Sequence, residues 1–181
     1  MKLMKTGLVL LMTISAVLMF ATTVNAQENT TYNATAVMKD ANGTIIGLAT
    51  FTQGSSGPVH ITVSVSGLMP GLHGTHIHDK GICIGPSFTS AGGHYNPLGK
   101  EHGFLNPKGP HAGDLPNLEV GADGKGNMNV TTKLVTLSSG PTTLFTANST
   151  SLVIHAGPDD LITDPAGNSG ARIACGVIEK K

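Results

Sequence analysis

The histidines are the residues of this chain most suited to chemistry, because their ring nitrogens bind transition metals and exchange protons near neutral pH. The sequence contains eight histidines: His60, His73, His76, His78, His94, His102, His111 and His155. Most of them lie within two residues of a glycine, in a chain with few other titratable groups, which favours a metal site over scattered surface histidines. His60 lies at a polar position of an alternating segment and is predicted to be a plain surface histidine.

The spacing of these residues divides them into groups. His76 and His78 are two apart, so in a strand both side chains lie on one face and can converge on one ion. His94, His102, His111 and Asp114 have the spacing of a loop that folds back over an ion. Three imidazoles and one carboxylate suit tetrahedral Zn²⁺, and imidazoles without thiolates suit Cu(II) equally well. At this point the sequence indicates a metal site for zinc or copper.

Short strands must position these side chains, because the pattern has period two and lacks sustained helical periodicity after the N-terminal apolar run. Residues Val59–Ser66 alternate apolar and polar at every step, and Asn42-Gly43 is a strong hairpin signal. The predicted strands are Thr35–Lys39, Thr44–Thr52, Val59–Ser66, Leu118–Gly121, Met128–Leu134, Ser151–His155 and Arg172–Ile178. Seven or eight such strands predict an all-β sandwich or barrel.

Two long segments interrupt the strands, Lys80–Pro116 and Ala156–Ala171, and both are rich in Gly, Pro and Asn. Long loops without regular structure are usually functional or disordered. The first of them holds three of the eight histidines, which favours a functional role.

The N-terminus has the pattern of a signal peptide. Lys2 and Lys5 precede an apolar run from Gly7 to Ala21, and small residues lead to Ala26. We expect residues 1–26 to be a signal peptide cleaved near Ala26, and residues 27–181 to form one domain, secreted or extracytoplasmic; the alternative is an uncleaved anchor. In an oxidising compartment the two cysteines, Cys83 and Cys175, are predicted to form a disulfide.

Charge excludes some partners. The chain has eleven basic and eleven acidic residues, and loss of Lys2 and Lys5 with the leader leaves nine basic residues. A nearly neutral chain without basic clusters is not expected to bind nucleic acid. No membrane span is expected in the mature chain.

Several segments resemble the signature motifs of the copper–zinc superoxide dismutases, most closely the bacterial secreted members. The matching segments are Gly71–His78, Gly93–Pro97, Glu101–Gly103, His111–Asn117, Val153–His155, Asp159-Asp160 and Gly170–Ile178. They cover the chain most densely from Gly67 to Ile178, with every ligand position of the family occupied in order. The resemblance implies a Greek-key β-sandwich or flattened barrel of about eight strands.

The resemblance also implies a division of the ligands between two metals. Copper (Cu²⁺/Cu⁺) would be bound by His76, His78, His94 and His155. Zinc (Zn²⁺) would be bound by His94, His102, His111 and Asp114, so that His94 bridges the two ions.

Four further roles follow from the resemblance. Asp159 would tie a copper ligand to a zinc ligand, and His73 would bond main-chain atoms without binding metal. Arg172 would attract and orient the superoxide anion beside copper. Cys83 and Cys175 would join the zinc loop to the last strand. Thr75 departs from the family, which usually has a larger apolar residue there, and the loop Ala156–Ala171 is short and contains no lysine.

The implied activity is the dismutation of superoxide to dioxygen and hydrogen peroxide by a monomer or homodimer. The alternative is a non-enzymatic, dismutase-like protein that binds copper and zinc outside the cell. That alternative predicts loss of a copper ligand or of the arginine, and the sequence retains all of them.

Overall fold

The computed structural model describes residues 30–181, so the predicted signal peptide, residues 1–26, lies outside the described residues. Within residues 30–181 there are nine strands and one short 3-10 helix, Thr89–Ala91. The strands are β1 (Tyr32–Asp40), β2 (Ile45–Gln53), β3 (Val59–Ser66), β4 (Gly71–His73), β5 (Thr75–His78), β6 (Leu118–Val120), β7 (Lys125–Thr132), β8 (Thr150–His155) and β9 (Arg172–Lys180). The all-β prediction is therefore confirmed.

The core forms where alternating side chains of the strands face inward. In β3, Val59, Ile61, Val63 and Val65 are buried while the residues between them are exposed, as the alternation predicts. Strands β5 and β8 differ, because every one of their residues is buried. One face of these two strands packs into the core, and the other is covered by the long loops.

The strands form one antiparallel sheet that closes almost completely into a barrel. Their order is β4-β6-β7-β3-β2-β1-β9-β8-β5, so the first strand lies between the second and the last. Strands β4 and β5 lie at opposite ends of this order, yet only Gly74 separates them in the chain. The Gly74 carbonyl accepts a hydrogen bond from the N–H of His155 (2.8 Å), and its N–H donates to the carbonyl of Gly157 (2.8 Å). Glycine lets the 156–171 loop pack against this junction, because a Cβ on residue 74 would lie 2.7 Å from Cβ of Ser169.

Three details differ from the sequence-based expectation. There are nine strands, because β4 and β5 form separate short strands on either side of Gly74. Strand β7 spans Lys125–Thr132 where Met128–Leu134 was expected, because its pairing with β3 runs from Lys125 opposite Ser66 to Thr132 opposite Val59. The residues that follow, 133–149, form a third long loop.

Gln53 fastens this third loop to the barrel. Its side-chain oxygen accepts hydrogen bonds from the N–H of Leu137 (2.7 Å) and the hydroxyl of Thr136 (2.9 Å). Gln53 is buried and its amide group donates to the carbonyl of Gly57 (2.8 Å), so its polar atoms are satisfied.

The two predicted long loops are present. Between β5 and β6 the 3-10 helix is the one regular element, and the segment between β8 and β9 has none among the described residues. Both loops cover the outer face of β5 and β8. Within residues 30–181 no helix has the length and hydropathy needed to cross a membrane.

Candidate metal centre

Strand β5 presents two histidines to the loops and one apolar side chain to the core. Ile77 is fully buried in the barrel core, and His76 and His78 on either side of it face the opposite way, toward the loops. The pairing of β5 with β8 brings His155, the last residue of β8, beside them. His94 reaches the same place from the long loop, through an isolated bridge with His78.

These four histidines form the first cluster. One ring nitrogen from each of His76, His78, His94 and His155 lies within 4.8 Å of the other three. The nitrogens His76 Nδ1, His78 Nε2, His94 Nε2 and His155 Nε2 are buried and have no hydrogen-bond partner in the protein. Buried polar atoms are rarely left unpaired. Four such nitrogens facing one point fit a transition metal ion that accepts their lone pairs.

The opposite ring nitrogens of three of these histidines bond to protein oxygens. His76 Nε2 lies 2.8 Å from Asp159 Oδ2, His78 Nδ1 lies 3.1 Å from the Gly92 carbonyl, and His155 Nδ1 lies 3.1 Å from the Gly170 carbonyl. Each bond requires the hydrogen on the outer nitrogen. The inner nitrogen is then unprotonated, which is the tautomer that binds a metal.

The second cluster forms around Asp114. Its Oδ1 atom lies 3.0 Å from His102 Nδ1, 3.2 Å from His94 Nδ1 and 3.4 Å from His111 Nδ1. The predicted residues His94, His102, His111 and Asp114 are therefore brought together. The second group of ligand atoms that all lie within 4.8 Å of one another contains His76, His94, His102 and Asp114, and not His111. The ring centroids of His76 and His94 are 4.0 Å apart.

Two carboxylates fix the loops around the clusters. Asp114 Oδ2 accepts the N–H groups of Gly103 and His111 at 2.9 Å each. Asp159 Oδ1 lies 2.9 Å from His102 Nε2, while its Oδ2 bonds His76, so this one side chain joins both clusters.

Asn117 holds the main chain of Asp159 by two hydrogen bonds, and the sequence analysis assigned it no role. Its side-chain oxygen accepts the Asp159 N–H (2.8 Å) and its amide donates to the Asp159 carbonyl (2.9 Å). Asn117 lies at the end of the His111–Asn117 motif, which was the only sequence signal available for it.

Arg172 lies at the start of β9, beside the first cluster. Its guanidinium donates to the Phe88 carbonyl through Nη1 (2.7 Å) and to the Gly92 carbonyl through Nη2 (2.6 Å). A surface cavity of about 520 Å³ opens above it. This cavity is lined by Pro86, Ser87, Thr89, Gly170, Ala171 and Arg172, so Arg172 is its one charged lining residue.

The two remaining histidines lie outside both clusters. His73 is buried, with Nδ1 2.7 Å from the His155 carbonyl and Nε2 2.8 Å from the Met69 carbonyl. His60 is exposed on β3, where its Nδ1 bonds the hydroxyl of Thr131 (3.0 Å).

Burial sets the protonation of the first cluster. It lowers the pKa of His76 to about 3, of His78 to about 2 and of His155 to about 4, so all three are neutral at neutral pH. Burial also lowers the pKa of His102, but hydrogen bonds with Asp114 and Asp159 outweigh it and raise this pKa to about 9. The same hydrogen bonds hold the pKa of both carboxyls well below the usual range, despite burial.

The predicted disulfide is present. Cys83, in the loop between β5 and β6, is bonded to Cys175 in the middle of β9, with 5.6 Å between their Cα atoms. No cysteine remains free. Because structural disulfides persist mainly in oxidising compartments, this bond favours an extracytoplasmic location.

Comparison with known proteins identifies relatives along most of the chain. Residues 45–178 match the family model described as copper/zinc superoxide dismutase. A Cu-Zn superoxide dismutase of Aquifex aeolicus is 46% identical over 157 residues, which are 86% of this chain and 91% of that protein. A Cu-Zn superoxide dismutase of Caulobacter vibrioides is 43% identical over 150 residues, 81% of this chain and 86% of that one.

The chain is also similar to proteins that are described only as superoxide dismutase-like. The superoxide dismutase-like protein YojM of Bacillus subtilis is 45% identical over 138 residues, 75% of this chain and 70% of that protein. The crystal structure of a superoxide dismutase-like protein from the same species aligns with a TM-score of 0.76 and 42% identity, covering 79% of this chain and 96% of that one.

Proposed function

Because the chain belongs to the copper/zinc superoxide dismutase family, we propose that it converts superoxide to dioxygen and hydrogen peroxide. The observation that carries this proposal is the set of four buried, unpartnered nitrogens beside Arg172. They belong to His76, His78, His94 and His155. Together they offer a redox-metal site next to a fixed positive charge that can hold an anion.

We assign copper to the first cluster and zinc to the second. The proposed copper ligands are His76, His78, His94 and His155. The proposed zinc ligands are His94, His102, His111 and Asp114. Bound copper would supply a one-electron acceptor and donor, and zinc, which has no redox chemistry, would supply a fixed positive charge.

His94 belongs to both sets through its two nitrogens. Its Nδ1 faces Asp114 and its Nε2 faces the first cluster, where it has no protein partner. We propose that His94 Nε2 holds a proton between the two half-reactions and gives it to the second superoxide. The reaction consumes two superoxide ions and two protons, and the second proton comes from solvent.

Arg172 binds the anionic substrate. Its guanidinium is held by the carbonyls of Phe88 and Gly92, so it is already oriented before superoxide arrives. A fixed guanidinium attracts and orients a small anion and raises the rate of encounter. The 156–171 loop, which has no lysine, adds no basic side chain to this effect.

Asp159 links the two clusters through hydrogen bonds to one histidine of each. By bonding His76 Nε2 and His102 Nε2 at once, it fixes the ring orientation of one proposed ligand of each metal. Outer carboxylates of this kind set the tautomer and the basicity of metal-bound histidines.

The alternative function is metal binding outside the cell without catalysis. It is favoured by the similarity to proteins described only as superoxide dismutase-like. The convergence of four histidine nitrogens beside an oriented arginine supports the enzyme instead, since storage needs no anion site.

Metal analysis and activity of the purified protein test the proposal. We expect copper and zinc to bind and superoxide to be dismutated. His78→Ala and His155→Ala should each lose copper and activity. His60→Ala, which removes an exposed histidine outside both clusters, is the matched control and should retain both. Full activity in His78→Ala and His155→Ala would exclude the copper mechanism. Metal binding without dismutation would favour the alternative.

We also propose that the protein is exported, with residues 1–26 as its signal peptide and residues 27–181 as the mature domain. The basic, apolar and small-residue pattern of the N-terminus supports export, and the disulfide agrees with it. N-terminal sequencing of protein collected outside the cytoplasm should begin near Gln27. A mature product that still begins at Met1 would contradict cleavage.

A further inference from the structure

A second carboxylate of the 156–171 loop reaches the zinc half of the site. Asp164 follows Asp159 by five residues and was given no role by the sequence motifs. Its Oδ1 accepts the N–H of His102 at 2.7 Å. The same oxygen lies 3.7 Å from Nε2 of His111.

The outer nitrogen of His111 has no carboxylate at hydrogen-bond distance, whereas the outer nitrogen of His102 has one. Its Nδ1 faces Asp114 and His94, both at 3.4 Å, so Nε2 points outward. His102 directs its outer Nε2 at Asp159. Metal-bound histidines generally direct the outer N–H at a carboxylate, carbonyl or water. For His111 the carboxylate within ion-pair distance, apart from Asp114, is Asp164.

We propose that Asp164 is a positioning residue of the zinc site, which holds the His102 main chain by a hydrogen bond and the His111 ring by charge. This inference rests on the zinc assignment proposed above. It gives the short loop two carboxylates with separate tasks. Asp159 joins the copper and zinc clusters, whereas Asp164 contacts His102 and His111 on the zinc side.

The size of the effect follows from the geometry. The side chain of Asp164 is 48% exposed and the distance to His111 exceeds hydrogen-bond range, so solvent screens part of that attraction. The bond to the His102 N–H is short and involves a charged acceptor, which makes it the stronger of the two contacts. Loss of an outer partner typically weakens metal affinity by about 10- to 100-fold. We expect the lower end of this range, about tenfold, when the charge alone is removed.

The same loop provides a matched control. Asp160 is also exposed, but its carboxylate accepts hydrogen bonds only from within the loop, from the N–H groups of Ile162 and Thr163 and from Asn168. Asp160→Asn and Asp164→Asn therefore remove the same charge from the same loop. Of these two aspartates, only Asp164 contacts zinc-side histidines, namely His102 and His111.

The experiment measures zinc affinity of the full protein by competition with a chromophoric chelator. Asp164→Asn, which keeps an acceptor oxygen for the His102 N–H, should weaken zinc binding about tenfold relative to wild type. Asp164→Ala, which loses that oxygen as well, should weaken it further. Asp160→Asn should match wild type, and Asp164→Glu should recover part of the affinity.

Cobalt(II) bound in place of zinc gives a second readout, independent of catalysis. We expect the visible absorption bands of the cobalt-loaded protein to shift in Asp164→Asn and to stay unchanged in Asp160→Asn. Copper content should be equal in both. Equal zinc affinities and cobalt spectra in the two variants would overturn the inference and leave the proposed function intact. A wild-type protein that binds no zinc would overturn both.

Discussion

At the scale of single residues, the site is organised by how each histidine uses its two nitrogens. In His76, His78 and His155 the outer nitrogen donates to a protein oxygen, and the inner one is buried and free. The imidazoles are thus neutral and correctly oriented before any metal arrives. Because the rings are already oriented, metal binding requires little rearrangement of the side chains. In the metal-free protein, however, the same buried imidazoles cannot take up a proton at the pH at which they would do so in the unfolded chain.

That conflict predicts a pH dependence of stability in the metal-free protein. In the unfolded chain histidine takes up a proton near its ordinary pKa of about 6.5. Folded His76, His78 and His155 stay neutral down to about pH 4 or below, because burial lowers their pKa values. Stability from these groups is therefore complete above pH 6.5 and falls as the pH drops toward 4. The expected loss is about 1.4 kcal/mol per pH unit for each histidine.

Urea denaturation of chelator-treated protein between pH 4.5 and 6.5 checks this prediction. His78→Asn removes one of the three groups and should make the dependence shallower. An unfolding free energy that stays constant across this range would contradict the neutral state of these histidines. His102 has the opposite effect at higher pH. Because its pKa is raised to about 9, the stability that it contributes is complete below pH 6.5 and is lost between pH 6.5 and about 9.

Arg172 gives a second prediction at this scale. Arg172→Gln should lower kcat/KM about tenfold or more and weaken its dependence on ionic strength, because the one charged side chain that lines the surface cavity above it is lost. Copper content should not change, since Arg172 is not a ligand. Stopped-flow superoxide decay at several salt concentrations measures both effects. A salt dependence identical to that of wild type would show that Arg172 does not steer the anion.

The sequence predicted the chemistry-bearing residues better than the residues that support them. His-x-His spacing and the ordered motifs pointed to the two clusters, because ligand types are few and their order is distinctive. Asn117 and Asp164 received no role, because asparagine and aspartate are common in loops and their partners lie far away in the chain. Their contacts depend on how the loops fold over β5 and β8.

At the scale of elements, the residue that precedes the 3-10 helix has an unusual backbone conformation. Phe88 has a left-handed backbone conformation, with φ of 53°, although such conformations are unfavourable for a bulky residue. Its ring is buried with Ala91, Val153 and Cys175, and its carbonyl accepts from Arg172 at 2.7 Å. Burial of the ring offsets the backbone strain and keeps that carbonyl aimed at the guanidinium.

Substitution of Phe88 separates these two effects. Phe88→Ala should lower the free energy of unfolding by about 3 kcal/mol and should also lower kcat/KM, because Arg172 loses a firm acceptor. Phe88→Leu, which keeps most of the buried volume, should recover most of both. Denaturation and steady-state kinetics on copper-loaded protein provide the measurements. Wild-type kcat/KM in Phe88→Ala would show that the ring does not position Arg172.

Elements were predictable where their pattern was local. Strand β3 was located to the residue, because Val59–Ser66 alternates without interruption and pairs on both sides. Strands β4 and β5 are three and four residues long, and β5 is buried throughout, so neither shows the alternation of a half-exposed strand. The 133–149 loop was missed because its fastening by Gln53 is a contact between distant parts of the chain.

At the scale of the whole molecule, one covalent bond joins the largest loop to the last strand. Cys83 and Cys175 are 92 residues apart in sequence, so the disulfide restricts much of the unfolded chain. In the chain-entropy description a loop of this length is worth about 4–5 kcal/mol. The bond also pins the loop that carries Phe88 to the strand that begins with Arg172.

The double variant Cys83→Ser/Cys175→Ser tests this contribution. We expect the free energy of unfolding to fall by up to about 4–5 kcal/mol, and the variant to resemble wild-type protein treated with a reductant. Reductant should have no further effect on the variant itself, which serves as the internal control. An unfolding transition unchanged by loss of both sulfurs would contradict the expected stabilisation.

The junction at Gly74 separates strands that pair with distant parts of the chain, and this determines when the metal site can form during folding. Strands β1, β2 and β3 pair with their neighbours in sequence, whereas β5 finds its partner only when β8, near the end of the chain, has been made. His76, His78 and His155 therefore meet in one of the last pairings to form, and pairings between such distant segments are slow. Before that step the chain has histidines but no site, because a metal site rarely exists in an unfolded chain. If the chain is exported before it folds, as the proposed signal peptide implies, its copper and zinc would bind after export, at its destination.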